Sequence, residues 1–148
     1  MRKLNASFFE SKVRHEAVLE DGTQAKVVEC YAVDAISFTE CEARVTEFMG
    51  QYVSGEFEVL TESHAPYSDI LRDEESDKFY KVNANFITLN EKTNKEKKTK
   101  YVVLVEATSI DDARKKFDEF MSGSMVDYVI TAVSESNVMG VVEKREVK

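Results

Sequence analysis

The sequence predicts an α+β fold in which a β-β-α-β unit is written twice in tandem, with mainly antiparallel sheet and one helix per unit packed on one side. Three observations predict it. Residues 33–49 and 105–121 match without a gap at an offset of 72, and both segments close on Glu-Phe-Met. Each matched segment reads as a capped amphipathic helix. Each is preceded by two strand-like runs and followed by a third. A pseudo-twofold relation between the copies is the expected consequence.

In the first copy, Phe8 to Leu19 and Lys26 to Val33 are the two opening strands. Asp21-Gly22 joins them as a hairpin turn, since glycine accepts the positive φ that such turns need. Ser37 is a good N-cap and Glu40, three residues on, completes a capping box. Phe38, Cys41, Val45, Phe48 and Met49 then fall on one helical stripe, and Gly50 is expected to stop the helix. Glu56 to Thr61 is the third strand. The second copy runs in parallel: strands at Phe79 to Leu89 and Lys100 to Val105, joined by a longer stretch from Asn90 to Thr99. Its helix is capped by Ser109 with Asp112, striped by Ile110, Ala113, Phe117, Phe120 and Met121, and stopped by Gly123. Tyr128 to Val133 closes it. In strand 79–89, Val82, Ala84 and Phe86 alternate with Lys81, Asn83 and Asn85, which marks one buried and one wet face.

The repeats thus span about 8–63 and 79–136, with a linker over 64–78 and a last strand at 138–142 that either finishes the second copy or pairs with the first. One helix and three strands bury too little surface to be stable alone, so the copies are expected to form a single domain.

Composition narrows the function classes. The 148 residues are 43% hydrophobic with one proline and five glycines, enough apolar material for a core and too few breakers for a linker-like chain. No apolar run reaches membrane-spanning length and the N-terminus leads into no secretory core, so a soluble cytoplasmic protein is expected, with no membrane partner. The net charge of −8 lies wholly in residues 1–74, which hold 7 basic and 15 acidic side chains. Such a surface repels nucleic-acid phosphates over most of its extent. Cys30 and Cys41 lack the spacing of zinc ligands and read as small buried hydrophobes.

The search for chemistry returns little. Phosphate-cradling glycine loops, a Gly-x-Ser-x-Gly elbow and a His-Glu-x-x-His site are all missing, so no cofactor, metal site or catalytic residue is expected. Three stretches remain. His15, on the first strand, reads most simply as a partly buried histidine bonded locally, and alignment of the copies sets it against Ala84. His64, Tyr67 and Asp69 gather imidazole, phenol and carboxylate in the linker, as a polar site or, more plainly, as a turn around Pro66. Lys92, Lys95, Lys97, Lys98 and Lys100 crowd the tip of the second hairpin, where they meet phosphates or simply keep an edge soluble. No arginine or aromatic residue interrupts that run to read or stack bases.

Lys12-Val13-Arg14, the segment from Val33 to Arg44, Ser54-Gly55-Glu56-Phe57, the segment from Phe86 to Lys92, and Met125 to Ile130 together resemble the domain of unknown function family 4494 over nearly the whole chain. The resemblance implies a small protein of Bacteroides-type bacteria, their phages or mobile elements, with no established activity and hence no catalytic residues to carry over. The leading expectation is a non-catalytic interaction module that binds a protein partner or itself. A single-strand nucleic-acid binder using the Lys92–Lys100 hairpin is the alternative, and an enzyme centred on His64, Tyr67 and Asp69 is the lesser one.

Overall fold

The computed structural model describes residues 8–143. Among them are eight strands and two helices: β1 (Phe8–Val18), β2 (Gln24–Asp34), α1 (Phe38–Tyr52), β3 (Phe57–His64), β4 (Asp69–Leu71), β5 (Lys78–Asn90), β6 (Lys95–Ala107), α2 (Ile110–Met121), β7 (Asp127–Ser136) and β8 (Val138–Val142). The fold is α+β with two mainly antiparallel four-stranded sheets. No described helix is long and apolar enough to cross a membrane.

The chain divides into two compact units. The first holds 8–66 and 137–143 of the described residues, and its sheet runs β3-β1-β2-β8. β1 is antiparallel to β2 and β3, and β8 is parallel to β2. The second unit holds 67–136, and its sheet runs β7-β5-β6-β4, with β5 antiparallel to β6 and β7 and β4 parallel to β6. Strand order and directions are the same in both. The fourth strand of each sheet is remote in sequence. β4 follows β3 in the chain yet joins the sheet of β6, while β8 follows β7 and joins the sheet of β2. The stretch expected as a linker, 64–78, therefore contains a strand.

Local chemistry builds each helix in the same way. The Ser37 hydroxyl accepts from the Glu40 N–H at 3.1 Å, and the Ser109 hydroxyl accepts from that of Asp112 at 3.0 Å. Cys41, Val45 and Met49 of α1, and Ala113, Phe117 and Met121 of α2, are the buried stripe. The leading stripe residues, Phe38 and Ile110, stay 47% and 51% exposed. A cation then ties each helix to the strand before it. Arg44 pairs with Glu40 and donates to the Asp34 carbonyl; Lys116 pairs with Asp112 at 2.9 Å and donates to the Glu106 carbonyl at 3.2 Å.

Two expectations need correction. Gly50 does not stop α1, which runs on to Tyr52 and ends at extended Val53, whose N–H reaches the Met49 carbonyl at 2.8 Å. Only Gly22 and Gly123 among the described glycines have positive φ, at 85° and 84°. Glycine permits a left-handed stop without demanding one, and the stacking of Tyr52 on Phe48 at 5.8 Å favours carrying the helix two residues further. The second hairpin is also tighter than the stretch from Asn90 to Thr99 suggested: β5 and β6 pair as far as Asn90 and Lys95, and Asn94, at φ 57°, makes the turn.

The pairing registers fix which positions correspond. With the helices aligned 72 residues apart, Phe8 opposite Asp34 matches Phe79 opposite Glu106. Val13 therefore corresponds to Ala84, and His15 to Phe86, two residues from the Ala84 that the sequence had set against it.

Candidate functional site

The helix-facing surface of the first sheet carries His15 from β1 and Glu29 from β2. These lie diagonally across the hairpin, since Val13 is the direct partner of Glu29 and Val27 that of His15. Their side chains are 7% and 12% exposed. His15 Nε2 meets the Glu29 carboxylate, and Nδ1 meets the backbone carbonyl of Glu16 at 3.1 Å. Both partners are acceptors, and only an imidazolium can donate to both. The Glu29 hydrogen bond leads in raising the His15 pKa above 6.5, against the opposing effect of burial.

Two tyrosines complete the centre. Tyr31, two residues beyond Glu29 on the same face, donates its hydroxyl to Glu29 Oε1 at 3.3 Å. Burial, then Glu29, then neighbouring Tyr52 push the Tyr31 phenol upward, so it stays protonated. The Tyr52 ring stands edge-on to His15 at 6.2 Å, held by Phe48, which in turn meets Tyr31 at 5.3 Å. The two further residues of α1 beyond Gly50 bring Tyr52 here.

Two adjoining cavities of about 430 Å³ each open beside this centre. Both are lined by His15, Glu16, Val53 and Gly55; Arg14 and Glu58 lie along one, Val18 and Tyr52 along the other. Arg14 is engaged by Glu58. Both imidazole nitrogens are occupied, and the Tyr31 phenol bonds to the same carboxylate oxygen that His15 meets. An open cavity lies beside this cluster.

Of the three stretches singled out in the sequence, His15 lies in this centre and the other two lie elsewhere. Lys92 sits in the β5–β6 turn, while Lys95, Lys97, Lys98 and Lys100 belong to β6, all exposed. Strand alternation sends Lys95 and Lys97 to one face and Lys98 and Lys100 to the other, so the run makes no single basic surface. His64 ends β3 in the first unit, with its ring 4.6 Å from that of Phe9 and 4.9 Å from that of Phe38. Tyr67 and Asp69 belong to the second unit, where Tyr67 is buried and Asp69 accepts the Tyr101 hydroxyl at 2.6 Å.

Other clusters are structural. Lys116 Nζ lies 3.0 Å from Ser76 Oγ, superficially a Ser–Lys pair, but Asp73 and Asp112 also hold the ammonium and its pKa is raised, so it serves as no base. Lys116 in turn leads in lowering the Asp73 pKa to about 2. Burial pushes both thiols, Cys30 and Cys41, up to about 12, which makes them inert hydrophobes as the sequence suggested. No group of three or more His, Cys, Asp or Glu side chains among the described residues could hold a metal ion.

Sequence reasoning took His15 singly and missed Glu29, Tyr31 and Tyr52. A signal was present, because placing the turn at Asp21-Gly22 fixes the hairpin register and puts 15 and 29 on one face as diagonal neighbours. No curated protein and no solved structure matches the chain. A family model does match, over residues 7–144, and by it the chain belongs to the family described as Domain of unknown function (DUF4494).

Proposed function

We propose that this chain is a non-catalytic interaction module of the cytoplasm that takes a protein partner at the His15 end of its first unit. One observation carries the reading. At corresponding positions the first unit has Ser11, His15, Glu29 and Tyr31 where the second has Val82, Phe86, Tyr101 and Val103. In the second unit Phe86 simply stacks on Tyr101 at 4.5 Å. The architecture is thus satisfied by an apolar filling, and replacing a buried ion pair by such a filling is commonly neutral or stabilising by about 1–4 kcal/mol. A buried charged pair that the frame does not need calls for another role, and an open cavity adjoins it. The engagement of both His15 nitrogens favours binding over catalysis.

The same correspondence supports descent of the two units from one tandemly copied β-β-α-β piece, each copy followed by a strand that joins the other copy's sheet. Matching caps, stripes and helix-tying cations support it too. Only the first copy then retains the polar centre. The phage or mobile-element setting implied by the family resemblance suits a small module of this kind.

The test is site-specific photocrosslinking in cells carrying the gene, with the crosslinker at Tyr52 and, as control, at Leu89, which is 58% exposed on the second unit's hairpin. A discrete protein adduct from position 52 alone, abolished by the double substitution His15→Phe/Glu29→Tyr, is the expected result. Sedimentation over a hundredfold concentration range tells a second copy from a foreign partner. Equal adducts from both positions, or none from either with a monomer throughout, overturns the reading.

A further inference from the structure

β1 is longer than its neighbour on one side. It pairs with β2 as far as Val18 opposite Gln24, but with β3 only as far as His15 opposite Phe57. Glu16, Ala17 and Val18 therefore present a strand edge that no described strand covers on the β3 side. An open edge of this kind is completed by extended backbone, and three residues offer about 10 Å of it.

A cavity of about 430 Å³ adjoins the edge. Its near wall is Glu16 to Val18, and its far wall is the end of α1 and the following loop, Tyr52 to Gly55. Two large apolar side chains lining it are exposed, Val18 at 70% and Tyr52 at 59%. The charge is acidic: Glu16 and Glu56 are exposed along the cavities, Arg14 is engaged by Glu58 and His15 by Glu29, and Lys26 is the one other cation lining them. The surrounding sequence agrees, since residues 1–74 carry the whole net charge of −8.

Resting on the binding role just proposed, we infer that the partner contributes an extended segment alternating apolar and basic residues, which adds to the free edge at Glu16–Val18 as a short strand continuing the line of β3. Backbone pairing along the edge gives affinity. The apolar side chains settle on the helix side against Val53 and Tyr52, and the lysines or arginines, on the opposite face, meet Glu16 and Glu56.

The probe is a library of random displayed nonapeptides selected on the full-length chain. The expected consensus has apolar residues alternating with Lys or Arg, and the synthesised consensus peptide protects the Glu16 and Val18 amides, which face the open side, from hydrogen exchange. Glu16→Lys/Glu56→Lys, two exposed positions whose exchange leaves the fold intact by circular dichroism, weakens binding about tenfold or more. An acidic or helical consensus, protection elsewhere only, no enrichment, or unchanged affinity in the charge-reversed variant overturns the inference. If any of these occurs while the adduct at position 52 persists, the extended basic segment is wrong and the binding role stands; if the adduct is lost as well, both fall.

Discussion

The helix-side surfaces of the two sheets share one plan and are filled with opposite chemistry. In the second unit Phe86, Tyr101, Phe117 and Tyr128 form a run of ring contacts, with the Tyr101 hydroxyl satisfied by Asp69 and that of Tyr128 by Asp118 at 2.7 Å. In the first unit the corresponding end holds an imidazolium, a carboxylate and two phenols, and further along the face Ser11 is fully buried with its hydroxyl unpartnered. The difference teaches that the shared frame (caps, buried stripe, tying cation, parallel fourth strand) tolerates either filling. Specific chemistry resides in the first unit's filling.

The sharpest way to break this comparison is to empty each core at its matched helix position. Phe117→Ala is expected to cost about 3–5 kcal/mol and Val45→Ala about 2 kcal/mol, since the ring leaves the larger cavity. Denaturant unfolding measures both. Equal losses would mean that the second unit is not the one whose stability depends on aromatic packing.

Next in size is the polar centre itself. Glu29→Ala removes the carboxylate that holds the His15 proton, so the buried ring turns neutral and loses a hydrogen-bond partner, at an expected cost of about 2 kcal/mol, whereas His15→Phe/Glu29→Tyr, which installs the second unit's pair, is expected to lie within about 1 kcal/mol of the parent or above it. A double variant as unstable as the single one would show that the first unit does need its ion pair, and the case for a functional origin would go. Ser11→Val, again the second unit's residue, removes a buried orphan hydroxyl and is expected to gain about 1 kcal/mol.

What the sequence made legible and what it hid divide along the same line. Ser37, Ser109, the two stripes and the Asp21-Gly22 turn were readable because each is a local choice, settled within a few residues by capping, periodicity or φ. β4 was not readable: Asp69–Leu71 is three residues long and exists as a strand only because β6 lies beside it. The continuation of α1 through Gly50 was misread because Tyr52 gains its packing from Phe48 and His15, which the helix pattern alone does not reveal. The centre was hidden because His15 and Glu29 meet across a hairpin, and a register has to be fixed before either has a partner.

Titration separates the two fillings. The folded-state pKa of His15 is raised above its unfolded value, chiefly by Glu29, so its contribution is complete below about pH 6.5 and is lost as pH rises through the folded value. Tyr101 is also raised, by burial first and then by Asp69, so its contribution persists to about pH 10 and is lost only above that. The parent is therefore expected to lose stability on going from mildly acidic to mildly alkaline buffer, and His15→Phe/Glu29→Tyr to show a flatter profile over that range. An identical slope in both would place the titrating group elsewhere.

The smallest expected effect tests the frame. Ser37→Ala and Ser109→Ala each remove one side-chain acceptor from an otherwise orphaned N–H, and each is expected to cost about 1 kcal/mol. The surroundings differ slightly. Asp112 accepts from the Thr108 N–H at 3.1 Å and is also held by Lys116, while Glu40 is held by Arg44. The second helix therefore keeps one backbone donor satisfied after the serine is lost, and its penalty is expected to be smaller by a few tenths of a kcal/mol. Matched thermal melts of the two variants resolve that order. A reversed order, or a cap that costs nothing in one unit and about 2 kcal/mol in the other, would mean that the helices are anchored differently despite their common sequence pattern, and that positions in the two units cannot be compared residue for residue.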